Sequence, residues 1–274
     1  MKLKVYGCRG SVPSSWGTVS KYGGNTSCIS LEASGHTVIL DAGSGLVQFD
    51  RLAMPGKEAD KTPLDILLSH LHLDHLIGLA VFSPIWSSGE AVRIHTCLRG
   101  EGTLREQIFG PFVPPYWPSS MLEAANAECI AIKDGISFNL GPIIVTPFIA
   151  MHPDDTLSYH LTDGKKTVVH LLDSEVSVLN DREYDGLVQY CKEADLVIFD
   201  AAYSPADYSN KKGWGHSTIE DGFKLAEACK CKQMMFSHFS FEYSDQELEI
   251  LESHARNYSE KFFFARDGME FDLA

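Results

Sequence analysis

The feature that most constrains this chain is a six-residue stretch, His70-Leu-His72-Leu-Asp74-His75, in which four side chains can bind metal ions. It follows directly on Leu64 to Leu68, which we predict to be a strand buried on both faces. In an extended segment residues two positions apart point the same way, so the first two histidines can hold one ion. The aspartate and the last histidine, past the bend, then face a second ion. The stretch therefore predicts a dinuclear metal site.

Four such side chains cannot fill two metal sites, so further ligands must come from later parts of the chain. His152, Asp173 and His238 each stand at or just beyond the end of a predicted strand. A carboxylate at position 173 can bridge two ions. Any one of these residues alone would more often serve as a cap or turn residue. In combination with the six-residue stretch, they predict a complete set of ligands.

The strand and helix signals along the chain predict an α/β fold with a β-rich first part. The predicted strands are Leu3–Gly7, Ser27–Ala33, Thr37–Asp41, Leu64–Leu68, Ile143–Ile149, Leu157–Leu161, Thr167–Leu172, Leu196–Phe199 and Met234–Phe236. Two capping boxes, Ser217 to Glu220 and Ser244 to Glu247, each predict the start of a helix. Since no repeat or linker divides the chain, we predict one domain over residues 1–274.

The strand pattern breaks between about Arg99 and Glu128, where residues 109–118 carry too many prolines for a helix or a central strand. We interpret residues 99–128 as a lid or partner-contact loop. The aromatic residues at 109–117 are assigned to core or dimer packing in preference to the mouth of a pocket. A homodimer is therefore among the predicted assemblies.

The formal net charge of -14 argues against an extended nucleic-acid surface, because phosphate backbones are bound through clustered Lys and Arg. A small anionic substrate stays compatible with this charge, since metal ions dominate the potential inside their pocket. No apolar run reaches 18 residues and no export signal is present, so we expect no membrane association and a cytoplasmic location. Seven cysteines at unrelated spacings also favour a reducing compartment.

The six-residue stretch resembles the signature motif of the metallo-β-lactamase superfamily, and the likeness covers nearly the whole chain. The resemblance implies a four-layered αββα sandwich with the site at one edge of its two sheets. It also implies the ligand sets: His70, His72 and His152 for the first metal, Asp74, His75 and His238 for the second, and Asp173 as the bridge. Zinc is the expected ion, with manganese and iron as alternatives, because imidazole and carboxylate ligands suit all three.

Other motifs resemble the branch of the superfamily that contains phosphoribosyl cyclic phosphodiesterase and the tRNA 3′-processing endonuclease. They are Gly7–Ser11, Tyr22–Ser27, Asp41–Gly45 and Gly213-Trp-Gly-His216-Ser-Thr218. His216 precedes a capped helix start, where free amides and the helix dipole favour an anion. We therefore assign His216 to binding a phosphoryl oxygen or protonating the leaving alkoxide, with simple covering of the helix end as the alternative.

Asp41 and Asp200 both end apolar strands, and we predict that they orient ligand histidines, with turn formation as the alternative. The remaining histidines are predicted to be structural: His36, His95, His160, His170 and His254. Two departures from the branch concern the substrate. Phe239 stands where relatives often carry a second histidine, and the Gly-Pro-rich basic arm of the tRNA-processing enzymes has no counterpart in the sequence.

The leading prediction is a dinuclear metal-dependent hydrolase that acts on a small or cyclic nucleotide-like phosphodiester. In such a hydrolase we expect Asp74 also to orient the hydroxide that bridges the metals, and His216 to act on the leaving group. The alternatives are a tRNA 3′-processing endoribonuclease, a thioester hydrolase and an iron-dependent sulfur dioxygenase. A true β-lactamase is disfavoured because no export signal is present. A binding module without turnover is disfavoured by the complete set of ligands.

Overall fold

A computed structural model describes residues 1–15, 21–53, 64–87 and 92–273, although not the side chains of 51–53. The strands are β1 (Lys2–Gly7), β2 (Cys28–Ala33), β3 (His36–Leu40), β4 (Leu64–Leu67), β5 (Val92–Thr96), β6 (Ala127–Ala131), β7 (Phe138–Leu140), β8 (Ile143–Ala150), β9 (Thr156–Thr162), β10 (Thr167–Leu171), β11 (Leu196–Asp200), β12 (Gln233–Ser237), β13 (Phe262–Phe264) and β14 (Glu270–Asp272). The α-helices are α1 (Leu46–Ala53), α2 (Leu73–Leu76), α3 (Ser83–Trp86), α4 (Leu104–Phe109), α5 (Met121–Ala124), α6 (Asp181–Cys191), α7 (Pro205–Tyr208), α8 (Ile219–Cys229) and α9 (Asp245–Tyr258). Short 3₁₀ helices cover Ile77–Val81 and Val176–Val178.

The strands form two mixed sheets of seven strands each. The order in the first sheet is β14-β1-β2-β3-β4-β5-β6, and in the second it is β13-β12-β11-β10-β9-β8-β7. The run β3 to β6 is parallel, as is the run β10 to β13, whereas the remaining neighbours are antiparallel. Parallel strands require crossover connections, and here helices supply several of them.

Apolar side chains explain why the two sheets stack. On β3, Val38 and Leu40 belong to the main core that also contains side chains of the second sheet, such as Val168 and Val197. Ile39 between them points the other way, into a second apolar cluster that includes residues of α1, α2 and α4. A strand buried on both faces in this way must lie inside a layered fold. The predicted four-layered αββα sandwich is therefore confirmed.

All nine predicted strands are present, with ends that differ by at most one residue. Five strands were missed. Three of them, β7, β13 and β14, have only three residues, which is too short for an alternating pattern to show. Strands β5 and β6 carry Arg93 and Glu128 among their apolar residues, which hides the strand pattern. The predicted strand Leu64–Leu68 was treated as apolar, although Asp65 interrupts it and lies fully buried.

The segment 99–128 is less irregular than predicted, since it contains α4, α5 and the start of β6. Helix α4 begins with a capping box between Thr103 and Glu106. Phe109 and Phe112 are buried in the second apolar cluster, as core packing requires, whereas Tyr116 is 83% exposed. The proline-rich residues that follow Phe109 form neither a strand nor a long helix, as predicted. The role of the segment as a lid or contact loop stays a prediction, as does the single domain.

One predicted capping box lies one residue further along the chain. The cap of α8 is Thr218, which exchanges hydrogen bonds with Asp221, and Ser217 instead donates to the carbonyl of Ser174. The box between Ser244 and Glu247 at the start of α9 is confirmed. Among the described residues, every helix is too short or too polar to span a bilayer.

Candidate metal centre

The predicted ligands reach one edge of the sandwich because the strands that carry them end there. The stretch from His70 to His75 follows β4 of the first sheet. His152 follows β8, Asp173 follows β10 and His238 follows β12, all in the second sheet. The parallel strands β4, β10 and β12 thus present their carboxyl ends at a common edge, where α/β folds collect their binding residues.

Three histidines from both sheets form what we call the first triad: His70, His72 and His152. Their ring centroids lie 4.3 to 5.2 Å apart, and one ligand nitrogen of each lies within 4.8 Å of the others. The side chain of His70 is fully buried, whereas that of His72 is 48% exposed. This spacing is compatible with one ion held by three imidazoles.

The second triad consists of Asp74, His75 and His238. The Nε2 atoms of the two histidines lie 3.3 Å apart, and each lies 3.3 or 3.4 Å from Oδ2 of Asp74. All three side chains are buried. A carboxylate and two imidazoles converging on one point in this way are compatible with a second ion.

Asp173 lies between the two triads and turns one carboxylate oxygen toward each. Oδ1 is 3.8 Å from Nε2 of His70 and 3.9 Å from Nε2 of His152. Oδ2 is 3.3 Å from Nε2 of His75 and 3.4 Å from Nε2 of His238. The structure therefore brings all seven residues of the predicted ligand set into one cluster, with Asp173 in the position of a bridge.

Several buried atoms of this cluster face one another without a hydrogen bond. Nε2 of His70 and Oδ2 of Asp173 have no hydrogen-bond partner in the described part of the chain. Buried polar atoms are rarely left unpaired in proteins, so such a group needs an explanation. Nitrogen lone pairs and carboxylate oxygens directed at a shared point are what a divalent cation requires. The donor set therefore fits divalent metal ions.

Electrostatics differ between the triads. Burial lowers the pKa of His70 well below its usual range and the pKa of His152 to about 4, which leaves both imidazoles neutral and able to bind metal. Burial also acts to lower the pKa of His75, but the carboxylates of Asp173, Asp74 and Asp41 outweigh it and raise that pKa well above its usual range. Excess negative charge around the second triad thus stabilises a cation.

The two aspartates that we predict to orient ligand histidines each lie beside a histidine, but only one of these histidines belongs to a triad. Oδ2 of Asp41 lies 2.9 Å from Nδ1 of His75, and its Oδ1 accepts a hydrogen bond from the amide of Ser69. Oδ2 of Asp200 lies 2.8 Å from Nδ1 of His216, which belongs to neither triad. The other oxygen of Asp200 accepts from the amide of Ala202. Asp200 therefore contacts a histidine outside the predicted ligand set, and it also accepts the hydrogen bond of a local turn.

His216 lies beside the triads. Its Nδ1 is 3.9 Å from Oδ1 of Asp173, and its ring stacks on that of His238 at 5.0 Å. Burial opposes protonation, but Asp200 and the carboxylates of Asp173 and Asp74 raise the pKa of His216 to about 9. The residue can therefore carry a proton at neutral pH. It also lies within ligand distance of two metal-capable groups, one with His152 and Asp173 and one with Asp200 and His238.

The five remaining histidines lie outside both triads. His36 and His95 contact Asp65, His254 lies 3.4 Å from Glu220 on the surface, and His160 lies within β9. His170 is buried, and its Nε2 lies 3.7 Å from Oδ2 of Asp41. It therefore lies near an aspartate that is close to the metal centre, and not near the centre itself.

Four residues outside the predicted set make hydrogen bonds that position the site. Asp154 accepts a hydrogen bond of 2.6 Å from His72. The hydroxyl of Ser69 lies 3.1 Å from Nδ1 of His70, and the amide of Ser11 donates to Asp74. Both oxygens of Glu175 accept amides of the 213–215 loop. Three of these residues lie within two positions of a predicted ligand, and that proximity was the available signal.

The backbone at this edge takes left-handed conformations at residues other than glycine. Asp41, Asp173 and His238 have φ values of 58°, 51° and 62°, each just after a strand. Residues other than glycine rarely have such positive φ values, and the ones that do are enriched at functional sites. Gly10 shows a related constraint, since a Cβ there would lie 2.5 Å from the ring of His238. The turns that present the ligands therefore depend on particular backbone geometry.

Comparison with known proteins agrees with this geometry. The profile of the Beta-lactamase superfamily domain matches residues 36–239. Ribonuclease Z of Bradyrhizobium diazoefficiens is 25% identical over 271 residues, covering 82% of this chain and 87% of that protein.

Two solved structures share the fold. Human tRNase Z, short form, has a TM-score of 0.68 at 20% identity over the full length of both chains. A diphosphatase from the PhnP family has a TM-score of 0.70 at 19% identity, covering 99% of this chain and 97% of that one.

These comparisons and the cluster of histidines and aspartates identify a metal-dependent hydrolase. The profile match spans most of the chain, from before the six-residue stretch to just after the last predicted ligand. The chain therefore belongs to the Beta-lactamase superfamily domain family, in agreement with the resemblance of its sequence motifs.

Proposed function

We propose that this chain is a two-metal phosphodiesterase. The observation that carries the proposal is the position of Asp173, which directs one carboxylate oxygen to each triad. Two divalent ions held in this way would supply a hydroxide at neutral pH and neutralise the charge that develops on phosphorus. The first triad would hold one ion and the second triad the other, with zinc as the proposed metal.

The chain's own residues supply the remaining roles. Asp74, held by the amide of Ser11 at 2.7 Å, is placed to orient the attacking water. His216 has Nδ1 fixed by Asp200, so its Nε2 is the atom that donates a proton to the leaving oxygen. Asp41 holds the ring of His75 in a fixed orientation. Together these groups provide a base, an acid and a fixed set of ligands for hydrolysis of a phosphodiester.

The relatives favour RNA as the substrate. The first proposal for the substrate class is therefore an RNA 3′ end of the kind a tRNA 3′-processing endoribonuclease cleaves, since the chain resembles ribonuclease Z over most of its length. This runs against the sequence-based expectations of a small substrate and of no extended nucleic acid. A net charge of -14 does not prevent RNA from reaching the site if metal ions dominate the local potential.

A small phosphodiester is the second candidate, and a specific observation favours it. The chain between the ligands His152 and Asp173 is a plain hairpin of β9 and β10, turning over residues 163–166. No basic arm that could hold a long RNA is inserted there.

One set of measurements tests the function and separates its substrates. Metal content is measured by elemental analysis of untreated protein, and turnover is measured with bis-p-nitrophenyl phosphate. The same protein is then offered a tRNA precursor with a 3′ trailer and a cyclic nucleotide. We expect about two divalent ions per chain and diester cleavage that is lost on chelation and restored by zinc. Protein that binds two ions but cleaves no diester would contradict the proposal.

Three further proposals concern the whole protein: cytoplasmic location, a homodimer and a single domain. The seven free cysteines are compatible with a reducing compartment. Light scattering of the purified protein measures the assembly, and a monomer at all concentrations would contradict the homodimer. Limited proteolysis tests the single domain, since a stable fragment much shorter than the chain would indicate a second unit.

A further inference from the structure

A cavity of about 410 Å³ lies beside the first triad, between the end of β8 and helix α6. His152 and Ser174 line it, so it shares a wall with the metal centre. Most of the remaining surface is apolar: Phe148, Ile149, Met151, Leu179, Leu187 and Tyr190. Its volume suits a single small organic group.

The charged residues that line this cavity are all acidic: Asp134, Asp154, Asp155 and Glu183. Among its described lining residues there is neither a lysine nor an arginine. Asp134 accepts a hydrogen bond from the amide of Ile149, and Glu183 accepts one from the amide of Asn180. An ionised phosphate would therefore be repelled from this space, whereas a cation would be attracted.

Helix α6 contains a glycine that leaves room for the cavity. Gly186 stands in the middle of this helix of 11 residues and lines the cavity. A Cβ added there would meet no atom within 4 Å. Glycine in a helix interior costs about 1 kcal/mol relative to alanine, and close packing does not require it here. The rings of Phe148 and Tyr190 stack at 4.2 Å and complete an aromatic wall nearby.

Building on the proposed function, we propose that this cavity binds an ammonium-bearing alkyl ester group of the substrate, the one that is not displaced. Carboxylates with aromatic and apolar walls are the surroundings that recognise organic ammonium groups. Because His152 both lines the cavity and belongs to the first triad, the inference places the group that stays on phosphorus on the His152 side of the metal centre. Of the two proposed substrate classes, this inference rests on the small phosphodiester.

Two chromogenic diesters with one leaving group test the inference. They are p-nitrophenylphosphorylcholine and methyl p-nitrophenyl phosphate. In both, the oxygen of water bonds to phosphorus as the bond to p-nitrophenolate breaks, and the remaining monoester and a proton are released. We expect kcat/KM to be about tenfold higher for the choline ester, a difference of about 1.4 kcal/mol.

Substitutions of Gly186 provide the matched variants. Gly186→Leu adds a side chain at a position where a Cβ meets no atom within 4 Å, and this side chain should fill part of the cavity. The choline ester should then fall to the level of the methyl ester, which should be unchanged. Gly186→Ala adds one methyl group and should keep the preference. Equal kcat/KM for both esters in the unaltered enzyme would overturn the inference, as would equal losses for both esters in Gly186→Leu.

A binding measurement keeps this inference separate from the proposed function. If the metal-loaded protein cleaves neither diester, the phosphodiesterase proposal fails, and titration calorimetry with benzyltrimethylammonium then decides about the cavity. Binding that Gly186→Ala keeps and Gly186→Leu abolishes would support the cavity as an ammonium site. Absence of binding to the unaltered protein, or equal binding to both variants, would overturn it.

Discussion

Two buried clusters of carboxylates and imidazoles lie along the same strand, β4, and they are built in opposite ways. Asp65 on β4 accepts hydrogen bonds from Arg93 at 2.7 and 2.6 Å, and it lies 2.8 Å from Nε2 of His95 and 3.1 Å from Nε2 of His36. We call these four residues the Asp65 cluster. Both of its carboxylate oxygens have donors. At the other end of the strand, the metal centre leaves Nε2 of His70 unpaired.

The difference shows how a structural cluster can be told from a binding one. A buried carboxylate whose oxygens are all paired, one of them with a guanidinium, has no capacity left for a ligand. In contrast, nitrogen and oxygen atoms that lie close together and accept no hydrogen bond can still bind a metal ion. Composition alone does not separate the two clusters, because both contain histidines and aspartate.

The largest expected effect comes from removing the carboxylate between the triads. Asp173→Asn should lower diester turnover by roughly a thousandfold or more and reduce bound metal, because an amide cannot bridge two cations. Elemental analysis and turnover measure this. Asp195→Asn is the matched control, since Asp195 precedes β11 at the opposite edge of the same sheet and pairs with Lys232. Full activity of Asp173→Asn would contradict the proposal that Asp173 bridges two metal ions.

The same change in the Asp65 cluster should affect folding instead. Asp65→Asn leaves the buried His95 and the half-buried Arg93 facing an amide, so we expect the free energy of unfolding to fall by about 3 kcal/mol. Denaturant titration measures this, with metal content and turnover per folded chain unchanged. Loss of metal without loss of stability would break the distinction between the clusters.

Lowering the pH should reduce the contribution of the Asp65 cluster to the free energy of unfolding. Burial acts to raise the pKa of Asp65, but the hydrogen bonds from His95 and Arg93 lower it below the usual value. The stabilisation is therefore complete above about pH 4 and is lost as the pH falls through the folded-state pKa. The gap in unfolding free energy between the unaltered protein and Asp65→Asn should narrow below pH 4. A gap that stays constant to pH 2.5 would contradict this.

A smaller effect separates the proposed acid from the ligands. His216→Ala should lower turnover about a hundredfold while two metal ions stay bound, because the residue belongs to neither triad. A leaving group of low basicity, such as p-nitrophenolate, should show a smaller loss than an alkoxide. Loss of one ion in this variant would instead make His216 a ligand, in line with its ligand distance from Asp173.

The smallest effect is expected one layer behind the second triad. Asp41→Asn should weaken metal binding by about tenfold, because it removes the carboxylate that orients His75. Competition with a chromogenic chelator measures this affinity, with His254→Gln on the surface as a neutral control. An unchanged affinity would assign Asp41 to the turn alone.

The strand and helix patterns predicted an α/β fold, the family resemblance predicted its four layers, and the seven clustered residues could be predicted for a physical reason. Four ligand-type residues within six positions cannot be read as ordinary surface, and each of the other three follows a strand whose apolar pattern is clear. Asp154 and Glu175 were missed because their roles depend on a hydrogen bond to a distant part of the chain. The Asp65 cluster was missed because its four members come from three strands that only the fold brings together.

The left-handed turns at Asp41, Asp173 and His238 limit how this centre can be rebuilt elsewhere. A designer who copied only the seven side chains onto another αββα scaffold would leave them on backbones that aim them differently. The transferable unit is each ligand together with its turn. In natural or laboratory evolution, insertions next to these three positions should be far rarer than changes in the hairpin at 163–166, and sequencing of active library members can count both.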